Sequence, residues 1–387
     1  MTEPELVPEA EAVRAAAHDS DVAAEQRLVP KAKRKSNLRW VIEVTITLSV
    51  LVGMFVVILP RITGSSYDEV WKVLGAIEPW ELLLLIAVWI GNLWTYTPVL
   101  TNSLPGLTHP QAFTANLATS AVSNVLPFGG AVGVGATYLM YGSWGFSTGE
   151  VTRSVLVTGV WNVLVKMALP VVALVLLTIT GEARPAVAGV AVLGLAILAG
   201  IIAVLWLVLR SDAFASAVGR FAGKVLSWLA RLVRRPPVSG LEEQLIGFRH
   251  ESSNLIRERW VPLSVWIVIY NATQFVLLLL CLWVLPEPVP HPGWVEVFAA
   301  FTVGRILSNV SVTPSGLGFV EAGIAASLIA AGGDPASMTA AVLLYSALTY
   351  LAEIPLGALG WLVWATRTRW RLPVGNRRTV RSGTSPT

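Results

Sequence analysis

Four ionisable side chains stand in otherwise apolar stretches: Lys166, Arg305, Glu321 and Glu353, with Glu150 and Arg153 nearer the edge of one. A charge facing hydrocarbon costs at least a few kcal/mol, so each of the four is expected to face an interior or a water-filled path. Arg305 precedes Pro314 by nine residues and Glu321 follows it by seven, which at about 1.5 Å per residue puts them at comparable depth on adjacent helical arms. Two roles fit that spacing, a salt bridge pinning the arms and a ligand-responsive pair lining a path. Gly129, Gly130, Gly316 and Gly318 fall where a second arm begins. There, unpaired N–H groups and the positive end of a helix dipole suit an anionic headgroup, while the same glycines also suit tight turns and close helix packing. Asn124 and Asn309 fit either ligand coordination or capping of the broken helix ends. The chemistry that these residue types point to is recognition of an anion, with Glu321 and Glu353 available as proton carriers.

Other chemistries lack their residues. The four His are scattered and Cys281 is the single cysteine, so no zinc site, intrachain disulfide or lipid-phosphatase histidine pair is expected. No Gly-x-x-x-x-Gly-Lys-Ser/Thr loop occurs, so nucleotide-driven transport is not expected, and no cofactor is assigned.

The elements that must hold these residues follow from composition. Of 387 residues 54% are hydrophobic and 13% charged, against roughly 25% charged in a soluble domain, and the mean hydropathy is +0.65. Sixteen Trp suit membrane boundaries, where an apolar ring with one N–H donor is at home. A net charge of +4 is too slight to argue for nucleic acid. The expected fold is an all-α polytopic membrane protein with about six full spans plus two re-entrant helical hairpins in an inverted-topology repeat. Spans are read at about 41–59, 80–100, 151–180 (kinked at Pro170), 186–209, 261–285 and 335–364. Residues 1–39 read as a disordered cytoplasmic tail, 40–365 as a membrane transport domain and 366–387 as a basic cytoplasmic tail. Residues 211–259 read as cytoplasmic amphipathic helices lying in the headgroup plane. Basic residues at both ends place both termini in the cytoplasm, and the expected location is the cell inner (cytoplasmic) membrane.

The repeat is carried by Ser123-Asn124-Val125 before Pro127-Phe128-Gly129, and by Ser308-Asn309-Val310 before Pro314-Ser315-Gly316, 185 to 187 residues later. Each copy continues into a Gly-rich apolar piece and then a long helix holding Pro170 or Pro355. Repeat one spans about 109–180 and repeat two about 294–364. Counting spans from a cytoplasmic N-terminus, the first hairpin enters from inside and the second from outside.

Asn124-Val-Leu-Pro127-Phe-Gly-Gly130 and Pro314-Ser-Gly-Leu-Gly-Phe-Val-Glu321-Ala resemble the flippase-like transmembrane region of lysylphosphatidylglycerol synthases and their stand-alone relatives, over roughly residues 40–365. The resemblance implies movement of an anionic, aminoacylated or polyprenyl-linked lipid between leaflets. The chain departs from the full-length synthases in carrying no recognisable aminoacyl transferase domain, and Val134 stands in repeat one where repeat two has Glu321. The expected function is therefore a lipid flippase rather than an enzyme, acting on an anionic phospholipid or polyprenyl-phosphate-linked lipid. The alternatives are a membrane glycosyltransferase using a lipid-linked donor, for which Asp68-Glu69 is the candidate acidic loop, and a non-transporting scaffold whose partner is an envelope-biosynthesis enzyme.

Overall fold

Capping chemistry already present in the sequence starts several helices. Ser66 with Glu69, Thr108 with Gln111 and Ser147 with Glu150 each form a capping box, in which side chain and backbone satisfy each other's first-turn groups. The Glu150 carboxylate accepts from Ser147 N and Oγ, both at 2.8 Å, so this edge charge is a helix cap.

The computed structural model describes Ser49, Val57 and residues 59–64, 66–126, 129–181, 185–232, 241–285, 292–308, 313 and 316–370, within a compact unit that covers Thr47–Thr387. Asn309, most of the expected first span, residues 1–48 and the final stretch 371–387 lie outside the described residues.

Helices α1 (Leu59–Thr63) and α2 (Tyr67–Gly75) precede α3 (Pro79–Thr95) and α4 (Thr97–Ser103), which together form one 25-residue apolar run. Helices α5 (His109–Val125) and α6 (Gly129–Ser143) pack on one another, then come α7 (Thr148–Ile179), α8 (Pro185–Arg210), α9 (Asp212–Leu232) and α10 (Leu241–Trp283). A second packed pair, α11 (Trp294–Leu307) and α12 (Phe319–Ala330), leads to α13 (Pro335–Ser346), a π-helical turn at Ala347–Leu351 and α14 (Glu353–Thr366). The described residues contain no strand. Four helical stretches are long and apolar enough to cross a membrane: Pro79–Ser103, Thr148–Ile179, Leu255–Trp283 and Pro335–Thr366. A fifth is available if the pieces Gly194–Val208 and Asp212–Phe221, which meet at 118°, are taken as one broken span.

Three prolines behave differently from one another. Pro170 lies inside α7, which runs on through it for 32 residues. Pro262 lies inside α10, so the amphipathic stretch before the span and the span itself are one 43-residue helix. The carbonyl that Pro262 deprives of a donor belongs to Glu258, an exposed residue where solvent is at hand. Pro355 would press its ring on the carbonyl of Leu351, and the helix before it widens into the π turn, with Ala352 N bonded to Ala347 O at 2.8 Å.

The last helix and the first hairpin pack tightly at Gly357. A Cβ there would lie 2.1 Å from Ala121 Cβ and 2.6 Å from Leu117 O, so only a glycine lets α14 lie against α5. Trp361 Nε1 then donates to Ala118 O at 3.0 Å and Trp364 Nε1 to Ser143 Oγ at 2.9 Å. Tryptophans collect at helix ends, Trp80 against Trp283 at 6.1 Å between ring centroids and Trp144 against Trp370 at 6.0 Å, as membrane boundaries favour. The largest apolar cluster gathers Leu277, Leu278, Phe301, Ile324 and Leu328 between α10, α11 and α12.

Candidate functional site

A cavity of about 490 Å³ lies where the two helical hairpins meet the long helices. Its walls come from side chains four apart, and therefore on one face of a helix: Asn116, Ser120 and Asn124 on α5, Asn162 and Lys166 on α7, Tyr270 and Gln274 on α10. Arg305 and Ser308 enter from α11, and Thr349, Tyr350 and Glu353 from the π turn and the start of α14. Widening the helix at the π turn re-aims the side chains that follow it, a device frequent at functional sites.

Two contacts hold the ends of the hairpin arms. At the end of α5, Asn124 Nδ2 donates to Glu353 Oε2 at 3.2 Å and to Tyr350 O at 3.4 Å. At the end of α11, Ser308 Oγ accepts from Lys166 Nζ at 3.1 Å and donates to Arg305 O at 2.8 Å. Each arm end thus reaches a long helix of the other half of the chain. Lys166 and Glu353 are 187 positions apart, the offset that also separates Pro127 from Pro314.

The charged residues lining the cavity are Lys166, Arg305 and Glu353, a formal excess of one positive charge. Its two cations enter from different halves of the chain, Lys166 from α7 and Arg305 from α11.

Of the other sequence-derived candidates, Asn124 and Gly130 line the cavity, whereas Gly129, Gly316, Gly318 and Glu321 are not among its lining residues. Gly129 serves close packing, since a Cβ there would lie 2.1 Å from Ser123 O. Gly318, at φ +88°, is the N-cap of α12, and its N–H donates to Glu321 Oε2 at 2.5 Å. Glu321 is fully buried and spends this carboxylate oxygen on the start of its own helix. Arg305 and Glu321, at matched depth along the chain, serve different places: one faces the cavity, the other closes a helix end. Arg153 and Glu150 also lie outside the lining.

Sequence reasoning overlooked the aromatic part of the wall. Five of the seven tyrosines line the cavity, Tyr96, Tyr141, Tyr270, Tyr345 and Tyr350, so the hydroxyl-bearing rings are concentrated here. Tyr96 and Tyr270 pack at 4.8 Å between centroids. The signal that marks them is a polar residue three or four positions away within an apolar span: Gln274 after Tyr270, Thr349 after Tyr345 and Glu353 after Tyr350.

The family model described as the transmembrane region of lysylphosphatidylglycerol synthase matches residues 40–357. No curated protein matches the chain.

Proposed function

The chain belongs to the family of the lysylphosphatidylglycerol synthase transmembrane region and is a multi-pass membrane protein, and we propose that it is a flippase carrying an anionic lipid headgroup through the cavity while the acyl or polyprenyl tails stay in the bilayer. The observation that carries this reading is the pairing of Lys166 and Arg305 on a polar cavity in a chain otherwise built to sit in lipid. Cations held in a low-dielectric site attract a phosphate far more strongly than they would in water.

In this reading the chain folds as an inverted repeat. Support comes from the exchanged contacts, Asn124 with Glu353 and Ser308 with Lys166, as two halves swapping long helices around a midplane site would make. Both termini and the segment 211–259 then face the cytoplasm, while Asp68, exposed on α2, faces outside. Single cysteines at 68 and 240 in a Cys281→Ser background read this orientation. An impermeant maleimide applied to intact cells is expected to label position 68 and spare 240. The reverse pattern overturns the orientation and with it the inward and outward entry of the hairpins.

Movement is downhill or coupled to an ion, with ATP dispensable. The test is purified protein in liposomes containing fluorescent phosphatidylglycerol, the outer leaflet being bleached by a membrane-impermeant quencher. Protein-containing vesicles are expected to lose nearly all their fluorescence and protein-free vesicles about half. Equal loss in both, across several anionic lipids and with an imposed proton gradient, removes the flippase and leaves a scaffold for an envelope enzyme as the reading to pursue.

A further inference from the structure

Beside its two cations the cavity presents acceptors, and these decide what else its ligand must carry. Gln274 is 7% exposed, lines the cavity and gives its Nε2 to Tyr270 Oη at 3.0 Å, while its Oε1 is buried with no hydrogen-bond partner among the described residues. A buried carbonyl oxygen without a donor is costly, and a phosphate, which only accepts, cannot satisfy it. Asn162 has spent both amide hydrogens, on Tyr96 Oη at 2.9 Å and on Thr158 O at 2.8 Å, so its oxygen is what remains for a ligand. Ser123 and Thr349 have given their hydroxyl hydrogens to main-chain carbonyls four residues back, which leaves lone pairs. The wall therefore asks for hydrogen-bond donors.

Phospholipid headgroups donate chiefly through two kinds of group, ammonium and hydroxyl. An ammonium would enter the same 490 Å³ space as Lys166 and Arg305, where like charges repel, and the one carboxylate on that lining, Glu353, already accepts from Asn124 Nδ2 at 3.2 Å. A hydroxyl donates without that penalty. Neighbouring tyrosine rings, Tyr96 on Tyr270, also offer the flat apolar faces against which the C–H side of a polyol or sugar packs.

We propose that the cavity is a binding site for a phosphate ester of an uncharged polyhydroxylated group, a sugar or cyclitol, with the phosphate at Lys166 and Arg305 and the hydroxyls on Gln274 and Asn162. This rests on the anionic-lipid reading and names its headgroup class. The same chemistry exists in lipids and in soluble phosphate esters, and the test separates the two.

The experiment measures binding to the full-length protein in detergent, by native mass spectrometry and thermal shift. The lipid probes are phosphatidic acid, phosphatidylglycerol, phosphatidylinositol and lysylphosphatidylglycerol; the soluble probes are glycerol 3-phosphate and myo-inositol 1-phosphate. Half-saturation is expected to fall at least tenfold from phosphatidic acid to phosphatidylinositol, with phosphatidylglycerol between and lysylphosphatidylglycerol weaker than phosphatidylinositol. Gln274→Leu is expected to shrink the advantage of phosphatidylinositol over phosphatidic acid to threefold or less. Ser120→Ala, at a half-buried lining position, gives a smaller loss in a variant that folds more readily, and the series on the unmodified chain needs no variant at all. Inositol phosphate binding as tightly as the lipid supports the site and makes the ligand soluble; binding of the lipid alone supports it and makes the source a membrane.

Phosphatidic acid binding as tightly as phosphatidylinositol, or the lysyl lipid binding tightest, overturns the proposal. Because binding and leaflet exchange are read separately, selective binding without exchange sinks only the flippase. Exchange that ignores the headgroup hydroxyls sinks only this inference.

Discussion

In reconstituted vesicles, Lys166→Ala is expected to slow leaflet exchange of phosphatidylglycerol at least tenfold, about 1.4 kcal/mol at the barrier, and that of phosphatidylcholine by less than threefold. The Lys166 ammonium is half-buried in the cavity and donates to Ser308 Oγ at 3.1 Å, so it stays positioned for an incoming phosphate. Removing it leaves a formal charge balance of zero on the lining, Arg305 against Glu353, and the attraction that selects an anion falls away. Lys166→Arg keeps the charge and is expected to recover most of the rate, whereas Lys166→Glu is expected to abolish exchange of the anionic lipid. Arg305→Ala is expected to act in the same direction. The measurement is the quencher assay, with folded protein per vesicle normalised by size-exclusion recovery. If Lys166→Ala slows both lipids alike, Lys166 holds the helices together and does not read charge.

Glu321→Ala is expected to lower the yield of folded protein severely, whereas Glu321→Gln is expected to fold and to exchange lipid at near the unmodified rate. Gly318 N is buried with Glu321 Oε2 as its acceptor at 2.5 Å. Deleting that acceptor strands a buried donor, a cost of about 1–3 kcal/mol, and leaves a void where a fully buried side chain stood. Glutamine keeps an oxygen for the same N–H. Detergent thermal melts and the recovery of monodisperse protein read the first effect, and the liposome assay reads the second. A Glu321→Gln protein that folds well but exchanges no lipid would return Glu321 to the transport path as a proton carrier.

The separation of Arg305 from Glu321 shows where linear reading stops. Both residues lie within nine positions of Pro314, and rise per residue fixes their depth, but depth is a single coordinate. The azimuth of each helix about its own axis decides which neighbour a side chain meets. On α11 that azimuth turns Arg305 to the cavity, and on α12 the Glu321 side chain turns back to the helix start, where Gly318, at φ +88°, gives it an N–H. The glycines divide in the same way: Gly130 borders the cavity and Gly129 is consumed by contact with Ser123.

Composition and periodicity determined by themselves that the chain is helical and lives in a membrane, because apolar runs near 80–100, 151–180, 261–285 and 335–364 have no other place to be buried. They also determined that Lys166, Arg305 and Glu353 turn inward, since charge in hydrocarbon is prohibitive wherever it occurs, and that the apolar chain breaks after Asn124 and near Pro314, because local backbone chemistry sets a break. Tertiary structure alone decided that Lys166 meets Ser308 and that Asn124 meets Glu353. These contacts join segments 142 and 229 positions apart, and no local term encodes them. The gathering of five tyrosines into one wall was likewise settled only by packing. The close approach that Gly357 permits fixes how α14 lies on α5, and with it where Glu353 and Tyr350 point.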